Sequence, residues 1–143
     1  MTIDDVERLI PHRNRMKLID EIIAVDEKTA VTASTITETW PMLEKGSVNP
    51  VVLVELVAQT AGVCIGWKER REKGNDDGGT GWLVGVKEAV FHRHSLPLNS
   101  RIITESKKVF QFEHYSEIAG TVRMGSEIVA EIKLQVVQSD FEG

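Results

Sequence analysis

Glu55 and Gln59 are the residues of this 143-residue chain whose types and spacing most directly suggest chemistry. They stand four apart, so on a helix they share one face, with Thr60 and Cys64 beside them. The positions around them are apolar in every direction, from Val51, Val52, Leu53 and Val54 to Ala61, Val63 and Ile65. A helix that is apolar all round is a buried one. Burial of an ionised carboxylate is costly unless the group is paired. Glu55 is therefore expected to sit in a polar crevice, to hydrogen-bond to Gln59 or another partner, or to titrate above the usual carboxylate range. A carboxylate of the last kind is a useful general acid or base. The competing reading is a satisfied buried polar residue that only fixes the orientation of the helix.

The other reactive side chains carry less. Cys64 is the single cysteine, which excludes an internal disulfide and argues for a reducing compartment, with cytoplasm as the expected location. No basic residue stands beside it in the apolar part of its helix, so a nucleophile is not expected. His92 and His94 are two apart, on or beside a strand and hence on one face, but no cysteine or carboxylate cluster joins them, so surface histidines and no metal site are expected. His12 and His114 complete the histidines. With no phosphate-cradling glycine loop or nucleotide motif, no bound cofactor is expected.

The elements that position Glu55 follow from local pattern. Asn49 can cap a helix and Pro50 suits its first position, after which Val51 to Trp67 carry no further proline. The charged segment Lys68 to Lys73 reads as the solvated end of that helix, and GNDDGGTG, residues 74–81, as a flexible surface connection. Upstream, Thr2 can cap a short amphipathic helix ended by Pro11, and Lys17 to Asp26 with Ala30 to Thr37 reads as a hairpin. Glu38 to Ser47 reads as an irregular loop whose Trp40 is expected to cover the central helix. Downstream come four strands, Trp82 to Phe91, Ile102 to Phe112, His114 to Met124 and Ile128 to Val137, whose short connections favour a meander.

The length fits a single domain over residues 1–143 with one core. A net charge of −5 with dispersed Lys and Arg recommends neither nucleic acid nor an anionic membrane as partner. A membrane span through the central helix is disfavoured by Glu55, Gln59 and Thr60 within it. No signal peptide is apparent at the start. The order of elements makes an α+β domain, and a helix apolar on all sides requires the antiparallel sheet to curl around it, or a second copy to close the other side. That is the hotdog fold.

Three segments are similar to the β-hydroxyacyl-acyl carrier protein dehydratases of that fold. Ile10-Pro11-His12-Arg13 through Leu18-Ile19-Asp20 resembles their LPHR…LLVD segment, and VVLVELVAQTAG, Val51 to Gly62, resembles their central-helix signature of an acidic residue followed three later by Ala-Gln. GVKEAVFHRHSLP, Gly85 to Pro97, looks like their following strand, and the whole looks closest to the dehydratase-like branch associated with aryl polyene pathways.

The resemblance implies action on a 3-hydroxyacyl thioester carried by acyl carrier protein or coenzyme A, in fatty acid or polyene-type biosynthesis. In that family a histidine ahead of the central helix removes a proton while the helix carboxylate handles the departing hydroxyl. The carboxylate maps onto Glu55, with Gln59 as a substrate-binding neighbour. The histidine position maps onto Pro41 or, with Trp40-Pro41 aligned to the usual Phe-Pro, onto Thr39; neither is a base. The family's carbonyl-binding amide maps onto Pro50, which has no N–H, so Val51 and Val52 are the substrate-binding candidates, on the expectation that their first-turn amides are unpaired. A homodimer or larger homo-oligomer is expected because the buried helix and curled sheet leave apolar surface and edge strands to cover, and the resemblance, in which the two catalytic groups lie across a subunit interface, implies a hetero-oligomer with a histidine-bearing hotdog subunit. The alternatives are a thioesterase using Glu55 and a non-catalytic acyl-binding subunit.

Overall fold

A computed structural model describes residues 17–73 and 81–139. The expected N-terminal helix, the segment carrying His12 and Arg13, and most of the glycine-rich connection lie outside the described residues. In chain order the elements are β1 (Glu21–Val25), β2 (Thr29–Thr35), β3 (Leu43–Glu44), β4 (Ser47–Val48), α1 (Val52–Lys73), β5 (Gly81–Phe91), β6 (Leu96–Pro97), β7 (Arg101–Phe112), β8 (Tyr115–Met124) and β9 (Glu127–Ser139). The hairpin, the central helix and the later strands fall where the pattern of apolar residues puts them. The hotdog architecture is present: α1 packs against all six strands of one curled antiparallel sheet.

The sheet presents one face to the helix because its side chains alternate. Ile102, Thr104 and Ser106 of β7 are buried, as are Ser116, Ile118 and Val122 of β8 and Ile132, Leu134 and Val136 of β9. The closest approach is at Gly120, where a Cβ would stand 2.3 Å from Val57 Cγ1. Only glycine lets the helix lie so near the strand, and the Ser106 hydroxyl pins the same turn by donating to the Val57 carbonyl at 2.9 Å.

Two expectations are corrected. The segment before α1 is not wholly irregular: β3, β4 and β6 form a second, three-stranded sheet. Left-handed backbone at Met42, Lys45 and Gly46 turns the chain tightly enough for Leu43 to pair with Val48, and Val48 with Leu96. Trp40, Val48 and Leu96 are thereby brought into the same core as the apolar residues of α1.

The last four long strands are also not one meander. The large sheet runs β1-β2-β7-β8-β9-β5, so β5 pairs with β9 and the chain then crosses to place β7 beside β2. Tight turns at Glu113-His114 and Gly125-Ser126 force only the β7–β8 and β8–β9 hairpins. Residues 92–100 are long enough to cross the molecule instead of making a third hairpin.

Candidate active site

The first turn of α1 begins on a side-chain cap. Asn49 Oδ1 accepts the Val51 N–H at 3.0 Å, while the Val52, Leu53 and Val54 amides donate to the carbonyls of Asn49, Pro50 and Val51 at 3.2, 2.9 and 3.1 Å. These three-residue steps are the tight, 3₁₀-type closure common at helix ends. The expectation that Val51 and Val52 offer unpaired amides is therefore corrected, because the Asn49 side chain and carbonyl take both. Val51 is nonetheless 41% exposed, whereas Val52 is buried.

One turn further, Glu55 is partly buried and Gln59 wholly so. The Leu18 N–H, which reaches the helix from ahead of β1, donates to Gln59 Oε1 at 2.8 Å. A backbone amide can only donate, so this contact fixes which end of the Gln59 amide is oxygen. Its nitrogen then faces Glu55 and donates to Glu55 Oε1 at 3.2 Å. The carboxylate is thus held by a side chain that is itself anchored to a distant piece of backbone. Pairing of Glu55 with Gln59, one of the arrangements expected for a carboxylate in this helix, is the one observed.

The rest of the polar stripe is structural. The Thr60 hydroxyl donates to the Leu56 carbonyl at 2.9 Å, so at its 2.9 Å contact with Thr32 it is the acceptor. Cys64 donates its thiol to the Asp26 carbonyl at 3.2 Å, and burial pushes its pKa up to about 11. A thiol so protonated is no nucleophile at neutral pH.

No described histidine joins Glu55 in this arrangement. Thr39 spends its hydroxyl on Thr37 at 2.8 Å, and Pro41 is exposed. His92 and His94 fall beyond the end of β5, not on it; both are exposed, and His92 faces Glu131 at 3.0 Å. His114 lies in the β7–β8 turn. Among the described residues no three His, Cys, Asp or Glu side chains converge as a metal site, and no helix is long and apolar enough to cross a membrane.

Sequence reasoning missed two features. Leu18 carries no side-chain signal for its role, since a backbone amide does the work. The segment Lys68 to Lys73 is also only partly a solvated end: Lys68 is half-buried, and Arg71 stacks over Trp67 at 4.8 Å.

Comparison with known proteins bears on the family and the fold. A family model described as ApeP-like, ApeP dehydratase, matches residues 4–142. The 3-hydroxyacyl-(acyl-carrier-protein) dehydratase FabZ of Thermotoga neapolitana is 28% identical over 139 residues, which cover 94% of this chain and 95% of the relative. Among solved structures, the dehydratase heterocomplex ApeI:P from Xenorhabdus doucetiae superposes with a TM-score of 0.82 at 21% identity, covering 94% of this chain and 90% of that one. Cj0977, a sigma28-regulated virulence protein of Campylobacter jejuni, superposes with a TM-score of 0.72 at 15% identity, covering 98% and 94%. At such identities these two structures speak for the fold.

Proposed function

Because the chain belongs to the ApeP-like dehydratase family, we propose that it dehydrates 3-hydroxyacyl thioesters, on acyl carrier protein or coenzyme A, as the carboxylate-bearing half of a two-subunit site. The observation that carries this reading is the relay from the Leu18 amide through Gln59 to Glu55 Oε1. It orients a single carboxyl at the start of the central helix, as an acid must be held if it is to meet a leaving hydroxyl. Glu55 gives its carboxyl proton to that hydroxyl as the C–O bond breaks and water departs. The electrons of the α C–H bond form the new double bond, and the α proton goes to a base. That base is a histidine of a second hotdog subunit, since the position it would hold in this chain is Thr39 or Pro41. A protein of the same fold is a component of a dehydratase heterocomplex, ApeI:P from Xenorhabdus doucetiae.

The surface suits such an assembly. β5 is an edge strand of the large sheet and exposes Val84, Val86, Val90 and Phe91 along it. An apolar open edge is a template for another strand, and a second hotdog chain, identical or histidine-bearing, is its proposed occupant. Biosynthesis of fatty acids or polyene-type chains in a reducing cytoplasm is the matching context.

The test is dehydration of a 3-hydroxyacyl thioester followed spectrophotometrically, with the chain alone and mixed with a histidine-bearing hotdog subunit. Little turnover alone and restored turnover on mixing is expected. Vigorous dehydration by the lone chain overturns the half-site, and hydrolysis of the thioester by the lone chain makes it a thioesterase.

A further inference from the structure

Beyond the Glu55 site, the far end of α1 holds a second concentration of charge. The β1–β2 turn, the later turns of α1 and the end of β7 enclose a surface cavity of about 240 Å³ whose walls include Lys28, Lys68, Lys108, Val109 and Phe110. Lys68 is about 20 Å along the helix from Glu55 at 1.5 Å per residue, so this is not the site described above.

The three lysines are brought together by the fold and not by the sequence. The Lys108 N–H donates to the Lys28 carbonyl at 2.7 Å, which locks the β1–β2 turn to β7 at the point where a bulge interrupts the β7–β8 register. The Lys28 turn is itself tied by Asp26 Oδ1, which accepts the Lys28 and Thr29 amides at 2.8 Å each. Lys108 Nζ donates to the Gln111 side-chain oxygen at 3.1 Å, a neutral partner. Glu27, the carboxylate in the cavity wall, stands 3.9 Å from Arg71. Among the described residues no carboxylate makes an ion pair with Lys28, Lys68 or Lys108. Burial, and then the charge of Lys68, lower the pKa of Lys108 against the smaller opposing influence of Cys64, Glu72 and Glu27. Cations held together against their own repulsion, on a backbone fixed by hydrogen bonds, form a preorganised anion site.

We propose that this cavity binds a phosphate group, free or carried by a small phosphomonoester, with Lys28, Lys68 and Lys108 as its ion-pair partners. A phosphate, with up to two charges and three acceptor oxygens, offsets more of the lysines' charge than a singly charged carboxylate would. The organic part of a monoester lies against Val109 and Phe110, an apolar wall beside the cations.

The experiment is an amide-resolved NMR titration of the full chain with inorganic phosphate and with phenyl phosphate, against sodium chloride at matched ionic strength. Saturable shifts confined to residues 27–28, 68 and 108–111 are expected. Lys68→Gln and Lys108→Gln should each weaken binding about tenfold or more, as loss of a charged hydrogen bond does. Lys107→Gln, at an exposed position off the cavity wall, should leave it unchanged. Tighter binding of phenyl phosphate identifies a phosphomonoester as the ligand, and equal binding identifies free phosphate. Shifts that chloride reproduces, or equal weakening by Lys107→Gln, overturn the proposal. Circular dichroism of each variant confirms that the fold is kept.

Discussion

At the start of α1 the chain fixes its polar groups by hydrogen bonds, and at the other end it gathers three lysines, with Glu27, into the wall of one cavity. The Val51 and Val52 amides go to Asn49, and Gln59 is held by Leu18 while it holds Glu55. Around Lys68, by contrast, the backbone is tied down, and among the described residues Lys28 and Lys108 make no ion pair with a carboxylate. A hydrogen-bonded carboxyl gains orientation, which a reaction needs. A strained cation cluster gains affinity for an anion, which a binding site needs. Local rules of stability are broken where function repays the cost, and the two ends break them differently.

The sharpest way to break this contrast is Glu55→Gln. The amide keeps the shape and still offers Gln59 an oxygen, so the thermal midpoint should be unchanged. Turnover of the proposed two-subunit assembly should fall by about a hundred to ten thousand fold, the usual worth of a general acid or base. Full turnover in that assay would make the carboxyl a structural group, and the start of α1 would then be packing and nothing more.

Gln59→Leu sharpens the same point through stability. It strands the Leu18 N–H in the core without an acceptor, which typically costs about 1–3 kcal/mol. A urea midpoint lowered with the slope unchanged would register that loss. Turnover should fall less than for Glu55→Gln, because the acid remains and only its aim is loosened. Unaltered stability would mean that the relay does not hold.

What was legible beforehand divides along the same line. The helix, the hairpin and the later strands are written in local periodicity, and the pairing of Glu55 with Gln59 follows from their four-residue spacing. The Leu18 contact spans 41 residues and uses backbone, so no side-chain pattern announces it. The same holds for the cavity lysines, whose positions in sequence look like ordinary surface charge until β7 is laid against the β1–β2 turn. The place of β5 beside β9 was hidden because residues 92–100 permit either a hairpin or a crossing, and local turn chemistry does not choose. The small sheet was hidden by its brevity: strands of two residues have no period to read.

Asn49→Ala has the smallest expected effect and asks the finest question about the start of α1. Loss of a side-chain cap typically costs about 1 kcal/mol, which a modest drop in thermal midpoint would report. The substitution also frees the Val51 N–H from Asn49 Oδ1. If a thioester carbonyl is bound by that amide, the cap competes with substrate, because one N–H makes one strong hydrogen bond at a time. Removing the competitor should then lower KM while the fold becomes slightly less stable, two changes that a purely structural cap would not couple. We expect that coupling, read from KM and the midpoint on the same preparation of the assembled enzyme. A midpoint that falls with KM unchanged would leave Val51 as the first residue of a capped helix and remove it from the site, while Glu55 and Gln59 would stand as before.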